Sequence, residues 1–200
     1  AAGGRSDPTQ IRTGDIGDMT TPSREIELKF LLDADAAAAV LAALPPGETV
    51  VADMVAIYFD TSDHRLRRNG FGLRVRRSGG ERIQTLKAAL GDDGGRDEWE
   101  WPVEADTPDV ALLATTPAAL PAGVAMVPLL TVTSRRTLRM GEKDGALIEL
   151  VIDDARVEAG GRRETFLELE LELKAGEAAA LTTLAARLSR VAALTPTDLS

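Results

Sequence analysis

In the segment Arg24 to Leu32, REIELKFLL, ionic and apolar residues alternate one by one. Residues i, i+2 and i+4 of a strand share a face, so this segment builds a strand with one charged side and one hydrocarbon side. Glu25, Glu27 and Lys29 fall on the first side, and Ile26, Leu28 and Phe30 on the second. The same parity recurs downstream: Arg74 with Arg76, Thr85 with Lys87, Arg96 with Glu98 and Glu100, Glu149 with Asp153, and Glu168 with Glu170, Glu172 and Lys174. A single strand of this kind is most simply a sheet wetted on one face. Six such strands impose more, because six apolar faces need cover and six ionic faces need partners. If helices cover the apolar faces and the sheet curls shut, the ionic faces line an interior.

Material for that cover is present. Asp33 is placed to cap an alanine-rich helix, ADAAAAVLAAL, which Pro45, Pro46 and Gly47 end. A second helix is expected from about Glu177 to Leu194. Between them lie the strand-like runs VVADMVAIYFDT, GFGLRVRR, ERIQTLKAAL and DEWEWPVEA, then TVTSRRTLRM, ALIELVIDDARVEA and RETFLELELELK. Asn69-Gly70 and Gly79-Gly80 mark turns, the latter the better tight hairpin. The Pro- and Ala-rich stretch 106–128 reads as short helices and loops. Residues 1–23, without apolar periodicity, read as a mobile tail with Met19 a candidate start, 24–194 as one domain, and 195–200 as a C-terminal tail. The fold class is α+β, an antiparallel sheet with helices packed outside.

Composition narrows the chemistry. With no cysteine, the chain has no disulfide, no thiolate nucleophile and no Cys-based zinc site, so any metal is held by oxygen. A net charge of -9 argues against a general nucleic-acid binder. No apolar run is long enough to cross a bilayer and no secretory signal opens the chain, which makes a cytoplasmic protein without a membrane partner the expectation. Clustered carboxylates raise one another's pKa unless a cation joins them, and hard oxygen donors favour Mg²⁺ or Mn²⁺. Arg and Lys facing the same interior suit a linear polyphosphate, Arg as a fork and Lys as a point charge. His64, the single histidine, reads as a loop residue in TSDHR. Trp99 and Trp101 alternate against Glu98 and Glu100 and read as cover or core.

Glu25-Ile26-Glu27-Leu28-Lys29 resembles the ExExK signature of the CYTH, or triphosphate tunnel metalloenzyme, superfamily. The resemblance continues in order through Tyr58-Phe59-Asp60-Thr61, Leu73-Arg74-Val75-Arg76, Thr85-Leu86-Lys87, Arg96-Asp97-Glu98-Trp99-Glu100, the basic strand at Arg135, Ile152-Asp153, and the closing run Glu168 to Lys174. It implies a closed eight-stranded antiparallel β tunnel. It also implies a metal set of Glu25, Glu27, Asp153, Glu170 and Glu172, and a substrate grip of Lys29, Arg74, Arg76, Lys87, Arg96 and Arg135, with Arg136 the alternative to Arg135. Glu25, Glu27, Lys29, Glu168, Glu170 and Arg76 are the expected catalytic group, with Glu168 or Glu98 orienting the attacking water. The bacterial branch it resembles implies metal-dependent hydrolysis of inorganic triphosphate, a polyphosphate link, an attached helical CHAD domain and a homodimer as further expectations. The alternatives are a class IV-type adenylate cyclase, a thiamine triphosphatase, or a non-catalytic polyphosphate-binding module. The carboxylate rows speak against the last, because holding a polyanion calls for Lys and Arg rather than many Glu.

Overall fold

The computed structural model describes residues 21–45, 47–92, 94–143 and 145–197. The expected tail up to residue 20, the candidate start Met19, the helix-ending Pro46 and residues 198–200 lie outside the described residues. Strand β1 (Ser23–Leu32) runs into helix α1 (Ala34–Ala43), where Asp33 accepts a hydrogen bond from the Ala36 amide at 2.7 Å as its N-cap. Strand β2 (Val50–Thr61), the short helix α2 (Arg65–Arg68), and strands β3 (Phe71–Ser78), β4 (Glu81–Ala88) and β5 (Gly95–Pro102) follow. After a 3-10 turn at Val110–Thr115 come the long strands β6 (Met126–Lys143), β7 (Ala146–Ala159) and β8 (Arg162–Ala175). Helix α3 (Ala179–Leu188) and the two-residue β9 (Thr195–Pro196) complete the order.

The strands lie in the order β5-β4-β3-β2-β6-β7-β8-β1, all antiparallel, and the pairing of β1 with β5 shuts the ring. This is the closed eight-stranded antiparallel barrel that the resemblance implied. β1 is shared between neighbours: Ser23 to Ile26 pair with β5, and Glu27 to Leu32 with β8. Where β5 stops, β9 takes up the free edge of β1 at Phe30 and Leu31. That strand also explains why the last helix is shorter than its alanine-rich sequence suggested: the chain leaves the helical path to complete the sheet edge. The hairpin from β3 to β4 turns in two residues, Gly79 and Gly80, both at positive φ (57° and 101°).

The hydrocarbon lies outside the ring in two clusters. On one flank Phe30, Ile152, Leu169 and Leu171 pack beneath Val40 of α1 and Leu181 and Leu188 of α3. On the other, Phe59, Leu73, Val75, Leu86, Trp99 and Trp101 pack beneath Leu66 of α2 and Leu113 of the 3-10 turn. The terminal helices thus cover only half of the apolar surface, and the stretch 106–128 covers much of the rest. Gln84, fully buried on β4, pins that stretch by donating to the Asp109 carbonyl (3.1 Å) and accepting from its amide (2.7 Å). β6 begins inside the region read as loop, with Pro128 in the strand. Having no N–H, Pro128 sits where the β2–β6 ladder slips register, between Tyr58 and Phe59.

Candidate active site: an ionic tunnel

Alternation sends Glu25, Glu27 and Lys29 of β1 into the barrel, and the register decides whom they meet. Glu25 lies opposite Arg96 of β5. It accepts two hydrogen bonds from Lys87 Nζ of β4, at 2.7 and 2.8 Å, and Arg96 Nε stands 3.3 Å away. Glu27 Oε1 takes a bond from Arg96 Nη2 at 2.6 Å. Lys29 lies opposite Glu170 of β8 and donates to it, with Glu27 and Glu168 oxygens each 3.7 Å from the same ammonium. Further round, Arg136 of β6 forks onto Asp153 of β7, at 2.6 Å at its shortest, and reaches Glu170 Oε2 at 3.0 Å. One ionic web therefore runs from β4 and β5 through β1 to β8, β7 and β6. Glu25, Arg96, Glu98, Asp153 and Glu168 are all buried. Charges are that deeply buried only where other charges meet them.

The acids divide into two electrostatic classes. Burial pushes Glu168 up to about 7 against the pull of Lys29, and pushes Glu98 up to about 7 against that of Lys87. Burial opposes the ionisation of Glu170 too, yet Lys29 and Arg136 hold its carboxyl well below the ordinary range. Glu25 behaves likewise, with Lys87 and Arg96 outweighing burial. Glu168 Oε1 is a buried acceptor with no hydrogen-bond partner. The bases divide as well. Lys29 is held above the ordinary lysine range by Glu170, Glu27 and Glu168, despite burial. Arg76 moves the other way: burial, with Arg74 and Arg136 nearby, weakens its charged form, and its nearest carboxylate, Glu100, is 3.7 Å off. Arg74, facing Glu98 at 3.9 Å, has a buried Nε with no partner. Arg74 and Arg76 therefore form a positive region that the carboxylates only partly offset.

The structure brings together Glu25, Glu27, Lys29, Arg74, Arg76, Lys87, Arg96, Asp153, Glu168, Glu170 and Glu172 on the barrel's inner side. Glu172, nearer an opening, is bonded by Lys174 at 2.7 Å. Arg135 is corrected: its side chain is exposed on the outer face, and Arg136 occupies the interior. The reason is that neither hydrophobic cluster covers the middle of β6, so its outer face keeps the polar residues Thr133, Arg135 and Thr137, while Val132 and Leu138 share the inner side with Arg136. Tyr58, opposite Arg74 in the β2–β3 register, is an inward residue that parity within YFDT did not single out, because Ala52 and Ala56 on the same face carry no charge. His64 is exposed at the head of α2, with φ 55°, consistent with a loop role.

Among the described residues no three His, Asp or Glu side chains converge on one point, since each carboxylate of the expected metal set is gripped by Lys or Arg. The donor chemistry nonetheless fits a hard divalent cation. All the acids offer oxygen, burial and then neighbouring carboxylates push Glu168 and Glu98 up, and Glu168 Oε1 is an unfilled acceptor.

Comparison with known proteins gives the following. A family model described as CYTH domain matches residues 23–196. The inorganic triphosphatase of Haemophilus influenzae is 30% identical over 124 residues, which is 60% of this chain and 35% of that protein, so the match spans about a third of the relative's length. Among solved structures, the adenylyl cyclase candidate HpAC1 of Hippeastrum, which reveals a dominant triphosphatase activity, superposes with TM-score 0.63 at 19% identity, covering 88% of this chain and 92% of that one. An adenylate cyclase candidate of Bacillus halodurans gives TM-score 0.58 at 18% identity, covering 88% and 95%. At that identity the two superpositions speak to the fold alone.

Proposed function

The chain belongs to the CYTH domain family, and from that premise we propose that it hydrolyses inorganic triphosphate, or a related linear triphosphate, with Mg²⁺ or Mn²⁺ bound in the tunnel. The observation that carries the reading is the pairing of acid and base within an enclosed interior, with positive charge only partly offset at Arg74 and Arg76. The similarity to an inorganic triphosphatase supports the substrate class.

In this reading Glu25, Glu27, Asp153, Glu170 and Glu172 hold the cation, which supplies neutralisation of phosphate oxygens and Lewis-acid polarisation when bound. The chain's own groups do the rest. Lys29, Arg74, Arg76, Lys87, Arg96 and Arg136 fix the phosphate chain, so that the scissile anhydride is oriented before attack. Lys29 and Arg136 give up part of their hold on Glu170 as phosphate oxygens arrive, an exchange of one charge-assisted hydrogen bond for another. Glu168 Oε1, buried and unpartnered, is placed to accept the proton of the attacking water, and its raised pKa suits that task near neutrality. The closed barrel keeps bulk water from the charges, which strengthens each contact.

The test is incubation with Mg²⁺ or Mn²⁺ and a panel of inorganic triphosphate, thiamine triphosphate and ATP, with orthophosphate, pyrophosphate and cyclic nucleotide measured as products. Orthophosphate from inorganic triphosphate is the expected result. Cyclic AMP from ATP, or binding without turnover of any triphosphate, overturns the reading. Glu27→Gln and Arg76→Ala should each abolish turnover.

A further inference from the structure

The two mouths of the tunnel are not alike. Strands of a closed barrel tilt to its axis, so one level of the interior is built from residues stepping about two places along at each strand, not from direct cross-strand partners. The closing pair of Glu25 with Arg96 requires such a step. Traced in this way, the ion pairs occupy mid-height and the mouth where β1 begins, where Glu149 stands 3.8 Å from Lys174 and Glu100 stands 3.7 Å from Arg76. At the other mouth, where β1 ends, the level consists of Leu31 of β1, Phe166 of β8, Val157 of β7 and Leu130 of β6.

These four residues are half-buried and belong to neither hydrophobic cluster outside the barrel. Each shares the inward side of its strand with an ionic residue: Leu31 with Lys29, Phe166 with Glu168, Val157 with Asp153 and Leu130 with Arg136. Hydrocarbon thus replaces charge on four neighbouring strands at a single level, which forms a collar. On β2, beside it, the buried Asp60 carboxylate accepts from the amides of Thr61 (2.7 Å), Leu66 (2.9 Å) and Arg67 (3.0 Å), and it offers an anion no cation. The bases of the proposed grip all lie deeper than the collar. A phosphate entering it would give up cations and water and meet no donor in return, which is strongly disfavoured.

We propose that Leu31, Leu130, Val157 and Phe166 form a stop for the phosphate chain, so that the tunnel takes a linear polyphosphate by one end, through the mouth at Glu149 and Lys174, and does not thread it. The proposal rests on the triphosphate reading of the tunnel and adds what sets how far a chain enters. A long chain then gains little over a short one, because its further phosphates stay outside the grip.

The experiment compares tripolyphosphate with a long linear polyphosphate, binding being measured by calorimetry in EDTA and hydrolysis separately with Mg²⁺. Counted per chain end, the wild type should bind the long chain within about twofold of tripolyphosphate. Phe166→Lys and Leu130→Lys, on different strands at half-exposed positions, each place a cation in the collar. Either should tighten the long chain about fivefold or more and leave tripolyphosphate within about twofold. A wild type that binds the long chain about tenfold more tightly than tripolyphosphate overturns the proposal, and this arm needs no variant to fold. Folded lysine variants with an unchanged ratio overturn it as well. So does tighter wild-type binding of ATP or thiamine triphosphate than of tripolyphosphate that Phe166→Lys abolishes, since the collar is then a seat for an organic group. Tripolyphosphate binding without turnover overturns the hydrolase reading alone, and the binding arms still decide the role of the collar. No tripolyphosphate binding in either EDTA or Mg²⁺ sinks both.

Discussion

Lys87 donates to both carboxylate oxygens of Glu25, at 2.7 and 2.8 Å, although the two stand 62 positions apart in the chain. The contact joins β4 to β1 over the inner face of β5, and it joins a base of the proposed phosphate grip to an acid of the proposed metal set. Removing one member of a buried pair leaves the other charge stranded, which costs about 3 to 5 kcal/mol. Lys87→Met should therefore lower unfolding stability by about 3 kcal/mol in EDTA, read by urea denaturation. With its strongest competitor gone, Glu25 should bind a cation more readily, so millimolar Mg²⁺ should restore more stability to the variant than it adds to the wild type. Equal gains would separate Glu25 from the metal set.

Arg135 and Arg136 are adjacent on β6, and only the second enters the ionic web. Arg136→Ala strips Asp153 of its forked partner and Glu170 of one of two, and it removes a guanidinium from the proposed substrate grip. A loss of at least about 100-fold in kcat/KM follows, about 2.7 kcal/mol of transition-state stabilisation. Arg135→Ala, on the outer face, should stay within about twofold of wild type. Steady-state phosphate release for the two variants side by side reads the difference, and equal effects would refute the assignment of the inner face.

The contrast between those neighbours shows what alternation reveals and what it leaves open. Along β1 and β8 most apolar residues, Ile26, Leu28, Phe30, Leu167, Leu169, Leu171 and Leu173 among them, belong to the cluster under helices α1 and α3, so charge and hydrocarbon largely separate and REIELKFLL or FLELELELK announces its inner face, with Leu31 and Phe166 the departures from the pattern. Along β6 no helix covers the outside. Its outer face is free to be polar, its inner face mixes Val132 and Leu138 with Arg136, and parity loses its sign. The extent of the last helix and the strand role of Pro128 depended on sheet pairings far away in sequence, with β1 and β2 respectively, which local periodicity does not encode. The ring closure rests on a pairing of β1 with β5 that no local signal specifies; the ionic faces in need of partners make closure reasonable, and the closed eight-stranded tunnel itself is what the family resemblance implies.

The outer cover should govern stability more than chemistry. Leu169 is fully buried between Glu168 and Glu170, on the opposite side of the strand from both. Leu169→Ala removes packing beneath α1 and α3 and leaves a cavity, for a loss of about 3 kcal/mol. Because the β-ladder, rather than that side chain, sets where Lys29 meets Glu170, activity measured well below the melting temperature should remain within about threefold of wild type. Thermal denaturation and phosphate release on the same sample separate the two effects, and a collapse of activity without loss of stability would show that the cover shapes the site directly.

The pH dependence of stability follows from the direction of the tunnel shifts. Glu168 and Glu98 stand at about 7 in the folded protein against an ordinary 4.5, raised by burial over the opposing pull of Lys29 and Lys87, and Glu27 and Glu172 are raised in the same sense. A carboxyl raised on folding takes up a proton as the chain folds, so its contribution to stability is complete below about 4.5 and is lost as pH climbs through about 7. Glu170, held well below its ordinary value by Lys29 and Arg136 in spite of burial, acts in the opposite sense, but its contribution fades only as pH falls below 4.5. Between roughly pH 5.5 and 8 the raised acids therefore dominate, and the melting temperature in EDTA should drop on the order of 5 °C across that interval. Glu168→Gln, which cannot ionise, should flatten the drop. A wild-type melting temperature that holds or rises from pH 5.5 to 8 would mean that these carboxylates are already ionised in the folded tunnel, which would overturn the raised values of Glu168 and Glu98.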